Sequence, residues 1–385
     1  MTCHAKLLAS CAPAIAPGPG TAREWARLER HALEPAPAAA MQWLPAALVH
    51  LPEDQKPAFF RIDDSRNGAP IAIAGLRVTR RFGPAGRIAT TRWSEFFFSG
   101  LPLVRAGEER AGLSGLLREA RKAGGAALEL AAIPARGPLM AALEDMARAD
   151  GLPMIRLDEW KRAALDATMS ADEWWRNDIP KKRRKEYARL KRRLAEAGEV
   201  SFEVMKEGGD LAPWLDGFFS LEAEGWKGRA GTAIACDPAM RRFVMSALRA
   251  FHAAGRLRFW RLRLDGEVIA TMFGHVTGGQ LWLGKMAYAE SLARYSPGVL
   301  LVIEATRDIL ADPVITFADS CADPNHPMID HLWRGRLAMA DVLIAAPETA
   351  AGRARMLFAL ERARRTARAW LKRLWLYARK RKRAA

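Results

Sequence analysis

Between Gly255 and Cys321 the hydrophobic pattern switches from strand period to helix period and back, and few folds accommodate that order. Leu257–Leu264 (LRFWRLRL) alternates apolar and basic residues, as a half-buried strand does. Asp265-Gly266 follows, and both residues tolerate positive φ, so a tight hairpin is expected. Glu267–Val276 reads as a second strand, Gly278-Gly279 as a second turn and Gln280–Tyr288 as a third strand. Ser296-Pro297-Gly298 then opens an apolar helix, Val299–Leu310. Serine suits an N-cap, and proline suits the first turn, where its missing N–H has no intrahelical partner to lose. Asp312-Pro313 ends that helix and Val314–Ala318 reads as a fourth strand. A helix start carries unpaired N–H groups and partial positive charge, so it can hold a phosphate. If the strands before and after it part, a long thin ligand fits between them. A plain crossover with a capped helix has the same residue order, so both readings stay open here.

The rest of the chain divides around this stretch. Residues 1–40 are rich in Ala, Pro and Gly and are expected to be a flexible segment outside the core, with a short helix near Ala22–Ala32 and Met41 as an alternative start. Leu8–Cys11 looks like a lipoprotein cleavage box, but no apolar run of the required length precedes it. Residues 41–165 read as a first α/β unit. Strands are expected at Ala58–Ile62, Ile71–Thr79, Ala127–Ala132 and Ile155–Leu157, and helices at Gly112–Ala123 and Leu139–Asp150. This unit shows no Gly-rich phosphate loop and no His/acid cluster, which favours a scaffold or acceptor platform over a second catalytic centre. Residues 166–346 form a second unit and 347–385 a basic C-terminal helix. The expected class is α+β (α/β), with mixed central sheets flanked by helices.

The formal charge of +17 is unevenly distributed. Residues 176–193 hold ten Lys/Arg against two acids, and residues 351–385 hold thirteen against one, leaving the remainder near neutral. Such clustering favours local contact with phosphate or anionic lipid over a nucleic-acid-coating protein. In the first cluster Tyr187, Leu190 and Leu194 share one helix face while Lys181, Lys182, Arg184, Lys185, Lys191 and Arg192 occupy the others. That fits a solvated helix or a phosphate-contacting one. In the second, Leu357, Leu360, Ala367, Trp370, Leu371, Leu374 and Ala378 recur at helical spacing within 353–383, a pattern of packing helices and of membrane-surface helices alike. Four scattered cysteines, with no CxxC spacing, suggest neither a disulfide framework nor a zinc knuckle, and a reducing cytoplasm is the default. No run of apolar residues is long enough to span a bilayer.

Taken together, Arg192–Gly198 (RRLAEAG), Leu221–Arg229 (LEAEGWKGR), Ser296–Leu301 (SPGVLL) and the strand ending near Asp319 resemble the FemAB-like branch of the GNAT acyltransferase superfamily. Many members of that branch are labelled CelD-like or cellulose-biosynthesis-like. The resemblance covers roughly Asp166–Ala345, with 41–165 matching the branch's degenerate first unit more loosely. Ala293–Gly298 (ARYSPG) stands where ordinary GNAT enzymes carry an Arg/Gln-x-x-Gly-x-Gly loop. The resemblance implies tandem GNAT-like units and transfer of an acyl group to an amine by direct attack. Acyl-CoA would be the co-substrate, with no tightly bound cofactor. The acceptor would be a small-molecule or envelope-precursor amine, as in cell-envelope or polysaccharide biosynthesis. Aminoacyl-tRNA is the alternative donor, and a non-catalytic scaffold on a membrane is the rival from another class.

On this reading Arg294, Ser296, Gly298 and Val299 hold the donor phosphates. Trp226 and Lys227 bind the acceptor, and Glu222 orients or deprotonates its amine. Tyr295 is a candidate proton donor. Asp319, His326 and His331 follow the last core strand and are candidates for acid–base work, histidine because it titrates near neutrality. Cys321 lacks an oxyanion-loop signature, which disfavours a thiol nucleophile. The spacing of Cys321, His326 and His331 matches no common metal motif, so no metal is expected. The expected location is the cytoplasm, with docking on the inner membrane face through 353–383.

Overall fold

The computed structural model describes residues 19–82, 86–94, 96 and 98–384. Twelve strands form one sheet. They are β1 (Ala58–Asp63), β2 (Pro70–Arg80), β3 (Arg87–Thr90), β4 (Leu103–Val104), β5 (Ala127–Pro134), β6 (Met154–Asp166), β7 (Val200–Val204), β8 (Leu257–Leu264), β9 (Glu267–Thr277), β10 (Gln280–Tyr288), β11 (Phe317–Asp319) and β12 (Gly335–Ala345). The helices are α1 (Pro19–Arg30), α2 (Leu44–His50), α3 (Glu109–Lys122), α4 (Pro138–Ala149), α5 (Ala171–Asn177), α6 (Lys181–Ala195), α7 (Ala212–Glu224), α8 (Trp226–Arg229), α9 (Pro238–Ala253), α10 (Pro297–Ala311) and α11 (Ala351–Ala384). This is the mixed α/β architecture expected from the sequence.

The strand order is β1-β2-β3-β5-β12-β6-β11-β10-β9-β8-β7, with β4 paired to β2. Two similar halves meet in its middle. In each, antiparallel strands lead to a parallel pair joined by a helix: β3–α3–β5 and β10–α10–β11. Each half then gives its last strand to the other. β6 follows β5 in the chain but pairs with β11, whereas β12 follows β11 but pairs with β5. β6 and β12 also pair with each other from Met154↔Ile344 to Ala164↔Gly335. A boundary at 165/166 therefore falls at the end of a strand that both halves share. Each exchanged strand is bonded on both edges, so the halves cannot separate without breaking ladder hydrogen bonds.

Local chemistry explains the hairpins around the central stretch. Asp265 and Gly266 both have positive φ, as do Gly278 and Gly279, which matches the twist of the strands they join. Glycine relieves a steric demand within β10. The β9–β10 register breaks between Leu283 and Met286, and a Cβ at Gly284 would lie 2.2 Å from the Phe273 ring. The result is a bulge.

Residues 19–40 differ from expectation. Trp25 and Leu28 of α1 are buried, Trp25 Nε1 donates to the Ala39 carbonyl at 3.0 Å, and Ala36, Ala39 and Ala40 are also buried. Small residues are required here because the segment lies against the sheet; they do not mark a loose tail. The cleavage-box residues Leu8–Cys11 lie outside the described residues.

Candidate functional site

β10 and β11 pair only at Gln280↔Phe317, Leu281↔Ala318 and Trp282↔Asp319. β10 then runs on to Tyr288 while the chain after Asp319 turns away through Cys321, which has a φ of +51°. The strands part there and leave a cleft of about 560 Å³. One wall is the bulged half of β10, from Leu283 to Tyr288. The opposite wall is Ser320–Ala322 with His326–Ile329. The α7–α8 junction contributes Glu222, Trp226 and Lys227, and the start of α10 contributes Ser296, Gly298 and Val299.

The α10 corner is tightly built. Ser296 adopts the left-handed conformation, φ +52° and ψ +53°, and its carbonyl accepts from the N–H groups of Val299 and Leu300. Its side chain makes no cap hydrogen bond, so the N-cap expected from the sequence is formed by the backbone. A Cβ at Gly298 would come within 2.9 Å of Met286 Cε, so glycine lets the helix start touch β10. Two cations flank this corner. The Arg294 and Arg193 guanidinium carbons lie 4.7 and 5.9 Å from the ring centre of Tyr295, the residue before Ser296. Arg193 belongs to α6, and Lys191 on the same helix bonds Glu304 of α10 at 2.9 Å. The end of the basic helix α6 therefore sits beside the α10 corner.

Glu222 is the buried carboxylate of the cleft among the described residues, at 2% exposure. Its Oε2 accepts from the Ile234 N–H at 2.8 Å. Its Oε1 lies 3.5 Å from Lys227 Nζ and 3.9 Å from Lys285 Nζ. Lys227 also donates to the Met286 carbonyl of β10 at 3.2 Å. Glu290 accepts from the Trp226 N–H at 2.6 Å and pairs with Arg229, fixing α8; this hydrogen bonding holds its carboxyl below the usual range.

Residues 181–324 match the family model described as "Acetyltransferase (GNAT) domain". Over that stretch the chain is similar to GNAT domains. No curated protein matches the chain. Among solved structures, FemX is similar over 84% of this chain and 95% of its own, at 11% identity and a TM-score of 0.55. The C-terminal domain of a putative lysylphosphatidylglycerol synthetase from Agrobacterium fabrum is similar over 88% and 95%, at 13% identity and a TM-score of 0.53. A conserved protein of unknown function from Bacteroides thetaiotaomicron gives 88% and 99%, 12% and 0.56. At such identities the likeness is one of fold alone, shared with FemX and the synthetase domain.

The residues singled out from sequence fall into two groups. Glu222, Trp226, Lys227, Ser296, Gly298, Val299 and His326 line the cleft. Asp319 does not. It is fully buried and ion-paired with Arg162 of β6, whose Nη1 donates to the Phe98 carbonyl at 3.0 Å. Its other oxygen accepts from the Cys321 N–H at 2.9 Å. A carboxylate engaged on both oxygens in the sheet interior is not placed for proton transfer with a substrate. Tyr295 is buried in the core behind the corner and also does not line the cleft. His331 is exposed on a short turn outside it, and Arg294 borders the corner from the surface.

His326 Nδ1 accepts from the Met328 and Ile329 N–H groups at 3.3 and 3.4 Å. That assigns the neutral ring's proton to Nε2, making this histidine a donor and not a base in its neutral form. Cys321 lines the cleft, but burial, followed by the Asp319 carboxylate, pushes its thiol well up, so a thiolate is disfavoured. Sequence reasoning missed Lys285. The signal was the glycine before it, since a lone glycine in a strand marks a bulge and a bulge re-aims the next side chain.

Among the described residues no group of three or more His, Cys, Asp or Glu side chains could hold a metal ion, and no helix is long and apolar enough to cross a membrane.

Proposed function

We propose that the chain is an N-acyltransferase that moves an acyl group from acyl-CoA to an amine by direct attack. The observation that carries this reading is the parting of β10 from β11 beside the α10 start, with a buried carboxylate between two lysines in the same cleft. The donor pyrophosphate would rest on the first turn of α10, whose N–H groups and dipole favour anions, with Arg294 and Arg193 beside it. The pantetheine arm would run along the edge of β10 beyond Trp282. That edge is free of a strand partner, and an extended amide chain can pair with it as an added strand. The thioester would then lie near the bulge at Gly284-Lys285.

In the reaction the amine lone pair attacks the thioester carbonyl carbon. A C–N bond forms and the carbonyl π electrons move to oxygen. Donors at the bulge, or His326 Nε2–H, would steady that oxyanion. The proton lost by the amine passes to Glu222, directly or through a water. Collapse breaks the C–S bond, and CoA leaves as a thiolate that takes up a proton. Trp226, more than half exposed at the rim, and Lys227 would meet the acceptor. Calorimetry with CoA and acetyl-CoA tests the donor site. One site per chain is expected, and no heat at millimolar concentration would remove the CoA version.

A second reading, aminoacyl transfer from aminoacyl-tRNA, is favoured by one feature: the Lys/Arg-rich α6 ends beside the corner. FemX and the lysylphosphatidylglycerol synthetase domain share the fold, and the acceptor would then be a cell-envelope precursor or lipid. This reading expects tRNA binding that weakens steeply with salt and is lost when Lys181, Lys182, Arg184 and Lys185 are neutralised.

A further inference from the structure

The start of α11 is locked onto the first half of the sheet. Ala354, Leu357 and Phe358 are buried against Ile88, Ala127 and Leu343. Beneath them lies a charged knot. Glu361, fully buried, accepts from Arg81 at 2.9 Å and from Arg364 and Arg365 of its own helix. Arg365 reaches on to Asp341 at 2.6 Å and also pairs with Glu129 and Asp158. These arginines hold the Glu361 carboxyl below the usual range despite its burial.

Beyond the knot the helix becomes exposed, with Thr366, Ala369 and Trp370 bordering Leu157 and Asp158 of β6 across a shallow pocket. Thr366 to Leu371 are all exposed, as is Leu374. The apolar residues here do not continue the buried face. At 100° per residue, Met356, Leu360, Ala367, Trp370, Leu371 and Leu374 fall in one stripe, well away around the helix from Ala354, Phe358 and Glu361. The large side chains among them are exposed by 41% at Leu360 to 66% at Leu371. The sequence stripe thus splits in two: Leu357 faces the protein while Leu360, Trp370, Leu371 and Leu374 face solvent. From Arg362 to Arg383 the sequence carries eleven Lys/Arg and no acid.

We infer that the outer half of α11 is a docking element for an anionic bilayer surface. The stripe enters the headgroup boundary with Trp370 at its level, and the flanking basic residues meet acidic lipid. An exposed apolar stripe with an aromatic anchor, in a segment rich in Lys and Arg, is what an interfacial helix carries. Charge decides against a second copy of the chain, because pairing two such stripes would bring eleven positive charges on each helix together with no acid to offset them. RNA would engage the cations but leave the Trp–Leu stripe in water, at the cost of an unburied apolar patch.

The test is flotation of the full chain with phosphatidylcholine vesicles, with and without phosphatidylglycerol. Binding is expected only when the acidic lipid is present, and should weaken as salt rises. Leu371→Glu/Leu374→Glu should reduce it by about tenfold or more, since it removes apolar contact and adds charge to the inserted face. Both positions are exposed, so the thermal melt should be unchanged, which separates loss of docking from loss of folding. Equal flotation on both vesicles, or on acidic vesicles by wild type and variant alike, overturns the inference. So does a concentration-dependent dimer abolished by the double variant in protein that ignores vesicles. Binding to RNA but not to acidic vesicles also overturns it. None of these outcomes depends on the acyltransferase reading.

Discussion

The two halves make the same strand–helix–strand turn and finish it differently. In β10–α10–β11 the helix starts at Ser296-Pro297-Gly298, with Arg294 and Arg193 nearby, and the gap between strands is open. In β3–α3–β5 the helix starts at Glu108-Glu109, which sets acidic side chains at the end where a phosphate would sit. The gap there is also filled. Past Thr90 the chain stays against β5 and bonds it again at Gly100. Thr91 N–H donates to the Glu129 carbonyl at 3.0 Å and Gly100 N–H to the Ala131 carbonyl at 2.8 Å. Trp93, Phe96 and Phe98 of this segment are buried. On the proposed reading, then, one crossover offers an anionic ligand a place and the other, with its acidic helix start and occupied strand edge, does not. A shared fold does not give both halves a site; the residue at the helix start and the segment after the strand decide.

The comparison can be broken at several points. The largest effect is expected at Glu222, the proposed base in the open cleft. Glu222→Gln should lower kcat by about 10²–10⁴-fold with little change in acyl-CoA affinity, read as thiol release with an accepted amine. Next is Asp319→Ala. Stranding Arg162 in the interior should cost about 3–5 kcal/mol in urea unfolding. A large fall in kcat at unchanged stability would restore Asp319 to the chemistry.

Gly298→Glu gives α10 the acidic start of α3 and should weaken CoA binding by about tenfold or more by calorimetry. The reverse change, Glu109→Gly, should create no second site, because the 91–100 segment still fills the gap. Smaller is a pH effect where the halves meet. Trp43 N–H of the first half donates to His275 Nε2 of the second at 3.2 Å. Burial, with Arg256 adding to it, holds this histidine well below its usual range. The unfolded chain therefore binds a proton that the folded chain refuses. Stability should rise with pH up to about 6.5 and fall below it, by up to about 1.4 kcal/mol per pH unit. His275→Phe should remove that share of the slope.

Much of this was legible in the sequence because it is local. Turn residues at 265–266 and 278–279 and the Ser-Pro-Gly corner specify their conformations within a few positions, and the hairpins and helix follow. Pairing between distant residues was not legible. Nothing near Asp319 signals that its partner is Arg162, so a buried ion pair read as a candidate base. The exchange of β6 and β12 depends on long-range register, and the sequence showed only a short strand at Ile155–Leu157. His326 and His331 look equivalent by spacing; only the turn after β11 sends one into the cleft and the other to solvent. Trp25 and Leu28 lay in a segment whose alanines and prolines suggested disorder, although the same small residues permit close packing.

The most direct measurement is the number of CoA molecules held per chain, by native mass spectrometry with a calorimetric titration alongside. One is expected, lost in Gly298→Glu and kept in Glu109→Gly. Two per chain, or one that survives Gly298→Glu, would contradict the assignment of the ligand to the opening between β10 and β11.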